Sequence, residues 1–473
     1  MLTYNLDLSV KTPLYEQLYS MIKESIYTGK IKSGDKLPSK RLMARHMQIS
    51  VITVENAYAQ LSAEGYIYSI EKKGYFVTDI SRTVNQVSLK QKEIKKEKIS
   101  AKDFFADFVS NRVDLQGFPI SVWSKLVREA LSQDSGKDIL KSAPQEGISE
   151  LRKAISDHLY HFRGLDTDMK EIVVGSGTEY LYNLLIQLLG NDRIYAAEDP
   201  GYPKPFLIYK SNRAKCIHIP MDEWGINIDK LRNTDADIVH ITPSHHFPTG
   251  IVMPVARRYE LLRWAYEKKE RYIIEDDYDS EFRMSGRPIP SLKSIDDIGK
   301  VIYINTFSKT ISPSIRIAYM VLPADLMAKF KKELYFYTST VASLEQKTLA
   351  LFISRGYFEK HINRMKNIYR IKRDMLINCI RTSSFSSKCE ILESESGLHF
   401  LLKVKTGQKD EYVIEKAESE GIRVSALSSY CYNREYSRMY NGIEHKFIIN
   451  YAGIETQKAL EALNRLLLII FDS

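Results

Sequence analysis

The stretch NTFSKTISPSIRIAYM, residues 305–320, holds one lysine and one arginine seven residues apart among Ser, Thr, Pro and apolar residues. Lys309 follows Val-Ile-Tyr-Ile-Asn, an apolar run of the kind that forms a buried strand. No acidic residue stands beside it. The commonest fate of a lysine in a loop is a solvated charge. A lysine just past a buried strand and flanked by hydroxyls has a second use, as an amine held ready to form an imine. Which of the two applies depends on the companions the chain supplies.

If the imine partner is pyridoxal phosphate, those companions are of defined kinds. An anion at the ring nitrogen keeps it protonated, a hydroxyl reaches the phenolic oxygen, and a flat side chain covers the ring. The phosphate needs a helix N-terminus, hydroxyls and a cation. YIIEDDYDSEF supplies Asp276 and Tyr278 for the ring nitrogen and the phenolic oxygen. GSGTEYLYNLL supplies Ser176, Gly177 and Thr178 at a helix start, and EDPGYPKPF supplies Tyr202 for the ring face. Thr306, Ser308 and Arg316 flank Lys309 on the phosphate side. Taken singly, an acidic pair at a strand end is more often a cap and a tyrosine more often packing. Together, each at the end of an apolar run, they match the place where an open α/β sheet binds ligands.

The elements that must position these residues are legible in the periodicity. EIVVGSG, RIYAAED, AKCIHIP, DIVHITP, RYIIEDD, VIYINTF and RIAYMVL are short apolar runs separated by amphipathic helical segments. This pattern predicts a mainly parallel sheet covered on both faces. A long helical stretch from about residue 340 leads to LHFLLKV, IRVSAL and KFIINYAG, a smaller α+β subdomain over about 345–473. The N-terminus is organised differently. Leu14, Leu18, Ile22 and Ile26 make one helical stripe that Gly29 ends, and Ser39 and Ser50 stand where they cap two further helices. YIYSIEKKGYFVTD then reads as two short strands around Lys72, Lys73 and Gly74. Three helices and a hairpin in about eighty residues is the layout of a winged helix-turn-helix. Residues 81–103 are polar and Lys-rich, a mobile linker or a short solvated helix. The expected division is 1–79, a linker over 80–103, and 104–473.

Net charge is +9, and residues 1–100 alone carry 16 Lys/Arg against 10 Asp/Glu. A small basic module on a near-neutral body points the module to nucleic acid. The four cysteines, Cys216, Cys379, Cys389 and Cys431, form no C-x-x-C pair and are too few for a disulfide scaffold, which places the chain in a reducing, cytoplasmic setting. No run is long enough to span a bilayer, and the reading requires no metal.

With DPGYP, TPSHHFPTG, EDDYDSEF and the hydroxyl-x-Ser-Lys motif in this order, residues 105–473 resemble a fold type I, aspartate-aminotransferase-like enzyme. GDKLPSKRLMARHMQISVITVENAYAQLSAEGYIYSIEKKGYFV is similar to the winged helix of GntR regulators. The whole chain resembles the MocR/GabR-type branch of that family, a winged helix fused to an aminotransferase-like domain. The resemblance implies pyridoxal phosphate as cofactor, a double-stranded DNA operator, an amine, amino acid or the cofactor itself as effector, and a homodimer. It implies DNA-backbone contacts by Lys40 and Arg41, recognition-helix contacts by Thr53 and Asn56, and a wing tip at Lys72, Lys73 and Gly74. Departures from the family pattern are informative. Phe247 stands where aminotransferases carry an asparagine to the phenolic oxygen, leaving His245 or His246 as substitutes. Ile448 stands where they carry the carboxylate-binding arginine, and Ser428 and Ser429 where the regulator branch often offers one. Lys204 is the remaining cation for a ligand. Depletion of the carboxylate clamp favours sensing through an imine at Lys309 over transaminase turnover. The alternative is a working aminotransferase with an accessory DNA module.

Overall fold

The computed structural model describes residues 4–7, 9–10, 12–79, 104–110, 112–114, 117–132, 138–284, 286, 289–433 and 442–471. The chain divides into two compact units, Met1–Ser100 and Ala101–Ser473. The expected linker, residues 80–103, falls wholly outside the described residues.

In the first unit, helix α1 (Leu14–Tyr27) buries Leu18, Ile22 and Ile26 on one stripe, and Gly29 follows its end at φ +74°. Helix α2 (Lys40–Met47) is capped by Ser39, whose hydroxyl accepts from the Leu42 amide. Helix α3 (Val51–Ala63) is capped by Ser50, which accepts from the Thr53 amide. Each cap satisfies an amide that has no partner within the helix. Val54, Ala57, Tyr58 and Leu61 close the core against α1 and α2. Strands β1 (Ile67–Ile70) and β2 (Gly74–Val77) pair antiparallel, with Ile70 opposite Gly74. Glu71, Lys72 and Lys73 are left as the exposed turn. Lys72 at φ +59° and Gly74 at φ +108° adopt the left-handed backbone that turns the chain. This is the winged helix-turn-helix that the periodicity predicts.

The second unit is built on an eight-stranded sheet. Its spatial order is Ile172–Gly175, Ala318–Val321, Val301–Thr306, Tyr272–Asp276, Ile238–Ile241, Ile194–Asp199, Lys215–Asp222 and Gly225–Ile226. Ala318–Val321 and Gly225–Ile226 run against their neighbours and the other strands are parallel. Alternate residues enter different cores. Ile172, Val174, Tyr303, Tyr319 and Val321 pack on one face, and Val173, Ile302, Ile304 and Met320 pack on the other under the helix Thr178–Leu189. Burial on both faces explains the near-continuous apolar runs in the sequence. Helix Tyr357–Thr382 leads to a four-stranded antiparallel sheet ordered Cys389–Leu392, His399–Val404, Lys446–Asn450 and Ser425–Ala426. Among the described residues no helix is long and apolar enough to cross a membrane.

Candidate functional site

Five parallel strands deliver the chemistry. Ile172–Gly175, Ile194–Asp199, Ile238–Ile241, Tyr272–Asp276 and Val301–Thr306 end on one edge of the large sheet, and the segments that follow line a cavity of about 260 Å³. Gly177, Thr178, Tyr202, Lys204, His246, Asp276, Tyr278, Thr306, Ser308, Lys309 and Arg316 all face it. These residues, singled out in the sequence and up to 139 positions apart, share one site. Ser176 and His245 are not among the lining residues. The Ser176 amide donates to Thr340 Oγ1 at 3.1 Å, and its carbonyl lies 3.5 Å from Arg316 Nη2.

Lys309 sits in a one-turn helix, Phe307–Thr310, whose start is capped by Thr306 accepting from the Ser308 amide at 3.1 Å. Burial pushes the Lys309 amine down to about 8, with Lys204 adding to the depression and the charge of Asp279 opposing it. The amine is thus partly neutral near pH 7 and available as a nucleophile.

Asp276 ends its strand buried, with one carboxylate oxygen accepting from the Tyr182 hydroxyl and lying 3.6 Å from His240 Nε2. His240 is oriented in turn by the Tyr209 hydroxyl at 2.7 Å. Burial, and then the Asp276 charge, hold the Tyr182 hydroxyl well above the usual tyrosine range, so it stays a donor. The other oxygen, Oδ1, is buried and has no hydrogen-bond partner among the described residues. An orphaned carboxylate oxygen is expensive to bury, and this one belongs to a residue lining the cavity. A protonated pyridine nitrogen fits it in charge and donor type.

The phosphate side fits as well. Gly177 precedes helix Thr178–Leu189 at φ +90°, ψ +165°, and a Cβ there would lie 3.0 Å from Arg316 Nη2. A side chain at this position would crowd the guanidinium against the helix start. Arg316 is itself held at φ +49°, a strained backbone of the kind found at ligand sites. Glu179, which the sequence reading passed over, bridges the two cations, with 2.9 Å to Arg316 and 2.6 Å to Lys204. Lys204 and then Arg316 hold its carboxyl below the usual range.

His246 lines the cavity between Glu198, at 3.3 Å, and Thr249, at 2.7 Å. His245 is buried behind it, its Nδ1 3.0 Å from Asp279 and 3.2 Å from the Tyr278 hydroxyl. The two candidates for the missing asparagine thus divide between the cavity wall and the support of Tyr278. Phe247 lines the cavity edge-on to Tyr202, with ring centroids 5.7 Å apart. Ile448 is buried with Phe247, Leu401, Leu427 and Ile443, and Ser428 donates to Asp410. Neither position offers a cation. Tyr182, His240, Glu198 and Glu179 were invisible as site residues in the sequence. The signal that finds Tyr182 and Glu179 is their place on the first turns of the helix that begins after Gly177.

On the winged helix, Arg41 and Asn56 are exposed, and Lys40 pairs with Glu55 at 2.6 Å. The Thr53 hydroxyl is engaged with Ser50 Oγ at 2.8 Å.

Comparison with known proteins agrees with both halves of this geometry. Residues 14–77 match the family of bacterial regulatory proteins of the gntR type, and residues 110–466 match aminotransferase class I and II. The chain is 38% identical over 423 residues, covering 89% of it and 91% of the relative, to an uncharacterized HTH-type transcriptional regulator, YdeL, of Bacillus subtilis. The chain belongs to the MocR-type branch of the GntR-family transcriptional regulators. It is 28% identical to the probable rhizopine catabolism regulatory protein MocR of Rhizobium meliloti, over 98% of this chain and 94% of that one. The fold of the second unit matches a multiple substrate aminotransferase from Thermococcus profundus at a TM-score of 0.66 and 22% identity, covering 79% of this chain and 93% of that one. The protein is therefore an HTH-type regulator carrying an aminotransferase-like domain.

Proposed function

We propose that this regulator binds a DNA operator through residues 1–79 and holds pyridoxal phosphate in the domain spanning 104–473, where it senses an amino compound or the cofactor itself. Residues 80–103 join the two, and about 345–473 form the small subdomain. The observation that carries the reading is the Lys309 amine and the buried carboxylate of Asp276, with its orphaned oxygen, on the walls of one cavity. Bound there, the cofactor supplies an aldehyde that captures amines and a ring that withdraws electrons. The chain's own groups do the rest. Gly177, Thr178, Thr306, Ser308 and Arg316 would hold the phosphate, with Ser176, outside the lining, backing Arg316 through its carbonyl. Asp276, braced by Tyr182 and His240, keeps a proton on the ring nitrogen. Tyr278 would donate to the phenolic oxygen and Tyr202 would cover the ring, both lining the cavity. Lys309 would hold the aldehyde through its amine, and that amine, lowered by burial, is suited to take up a proton on this wall of the cavity.

Sensing is favoured over turnover because Ile448 is apolar and Ser428 is tied to Asp410, so neither orients a substrate carboxylate. Lys204, already paired with Glu179, is the cation left for the ligand. The rest of the reading is a homodimer acting in the cytoplasm on two operator half-sites. The test is an absorbance titration of the holoprotein with candidate amines and amino acids, followed by product analysis. A saturating spectral change without product supports the sensor. Repeated turnover supports the alternative, a working aminotransferase.

A further inference from the structure

Helix α3 buries Val54, Ala57, Tyr58 and Leu61. At 100° per residue, the positions opposite that face belong to Ile52 and Asn56, one turn apart. Ile52 is 68% exposed, and Val51 beside it in the first turn is 42% exposed. Two β-branched apolar side chains thus stand in water at the start of the helix and take no part in its core. Thr53, between them and Asn56, has its hydroxyl engaged by Ser50. The same unit exposes Arg41 on α2 and Lys72 and Lys73 on the wing turn, while Lys40 is paired with Glu55 of α3. That charge complements a polyphosphate backbone rather than an apolar protein face. The apolar group that the major groove presents is the thymine 5-methyl.

We propose that Ile52, flanked by Val51, reads thymine 5-methyl groups in the major groove. The amide of Asn56, on the same ridge, suits an adenine in a neighbouring pair. This operator half-site is specified at one or two positions by T·A pairs. The inference rests on the DNA-binding reading of residues 1–79 and adds the base identity to it.

The test uses the full-length protein. Duplexes are selected from a random pool, and each thymine of the selected site is then replaced singly by uracil, which removes only the methyl group. We expect about a fourfold loss of affinity at one or two thymines per half-site, the factor carried by desolvating one methyl-sized group. In Ile52→Ala the same replacements change nothing, and its affinity for the thymine duplex is no higher than that of the native protein for a singly uracil-substituted duplex. Ile52→Val keeps part of the discrimination. If the native protein tolerates uracil at every thymine, or if Ile52→Ala remains sensitive to uracil, the proposal is overturned while DNA binding stands. If no duplex is bound above a scrambled control, the DNA-binding reading and the proposal fall together.

Discussion

The depressed pKa of Lys309 gives a prediction that needs no cofactor. An amine titrating at about 8 is roughly 10% neutral at pH 7, whereas an ordinary lysine near 10.5 is about 0.03% neutral, so reactivity per accessible amine differs by a factor on the order of 300. The assay is competitive labelling of the apoprotein with trace acetic anhydride from pH 6 to 11, with the Lys309 peptide quantified by mass spectrometry against the bulk lysines. The reagent is small enough for a cavity of about 260 Å³. The Lys309 midpoint should fall near 8. Lys204→Gln should raise it, because Lys204 is one of the causes of the depression, and Asp279→Asn should lower it further. Stability carries the same signature. With the folded value below the unfolded one, the apoprotein binds fewer protons than the unfolded chain between about pH 8 and 10.5, so its stability rises with pH across that window. A Lys309 midpoint indistinguishable from that of the bulk lysines would refute the reasoning, since it would mean that the amine is as well solvated as a surface lysine.

Three further outcomes follow from the cradle. Asp276→Asn removes the charge facing the ring nitrogen and should lower cofactor affinity at least about tenfold and alter the visible band, read by dialysis and absorbance. Glu179→Gln removes the carboxylate that competes for Arg316 and Lys204. Half-exposed ion pairs contribute up to about 1 kcal/mol, so phosphate affinity by calorimetry should rise by about threefold to fivefold, whereas Arg316→Gln should lower it. Gly177→Ala puts a side chain into backbone that is essentially reserved for glycine, at a cost of about 1–3 kcal/mol, and crowds Arg316. Titration with the same ligand should show weakened phosphate binding without loss of the fold by circular dichroism.

The parts of this molecule legible in the sequence were those set by short-range rules. The Ser39 and Ser50 caps, the stripe of α1 and the glycine-assisted wing turn depend on neighbours within a few residues. The strands of the large sheet were legible because both of their faces are buried, and their C-terminal ends told where Lys309, Asp276 and Gly177 would converge. What stayed hidden depends on side-chain direction across long separations. Tyr182 and Glu179 read as ordinary residues of an amphipathic helix until the helix start is set against Asp276 and Arg316. His245 and His246 are adjacent in sequence but part company in the fold, one lining the cavity and the other bracing Tyr278. Thr53 and Asn56 share a helix side by spacing alone, yet the capping bond to Ser50 occupies the Thr53 hydroxyl and leaves Ile52 in the outward position.

The central claim is that one chain couples a cofactor-dependent chemical event at Lys309 to DNA binding. The most direct measurement is the affinity of the full-length protein for its selected operator with and without saturating pyridoxal phosphate, and with the effector found by absorbance titration, for the native chain and for Lys309→Ala. Native affinity or footprint should change on adding cofactor or effector, and Lys309→Ala should bind the operator with near-native basal affinity and show no response. A native protein whose operator binding is indifferent to both ligands, or a Lys309→Ala variant that responds as the native protein does, would contradict the claim.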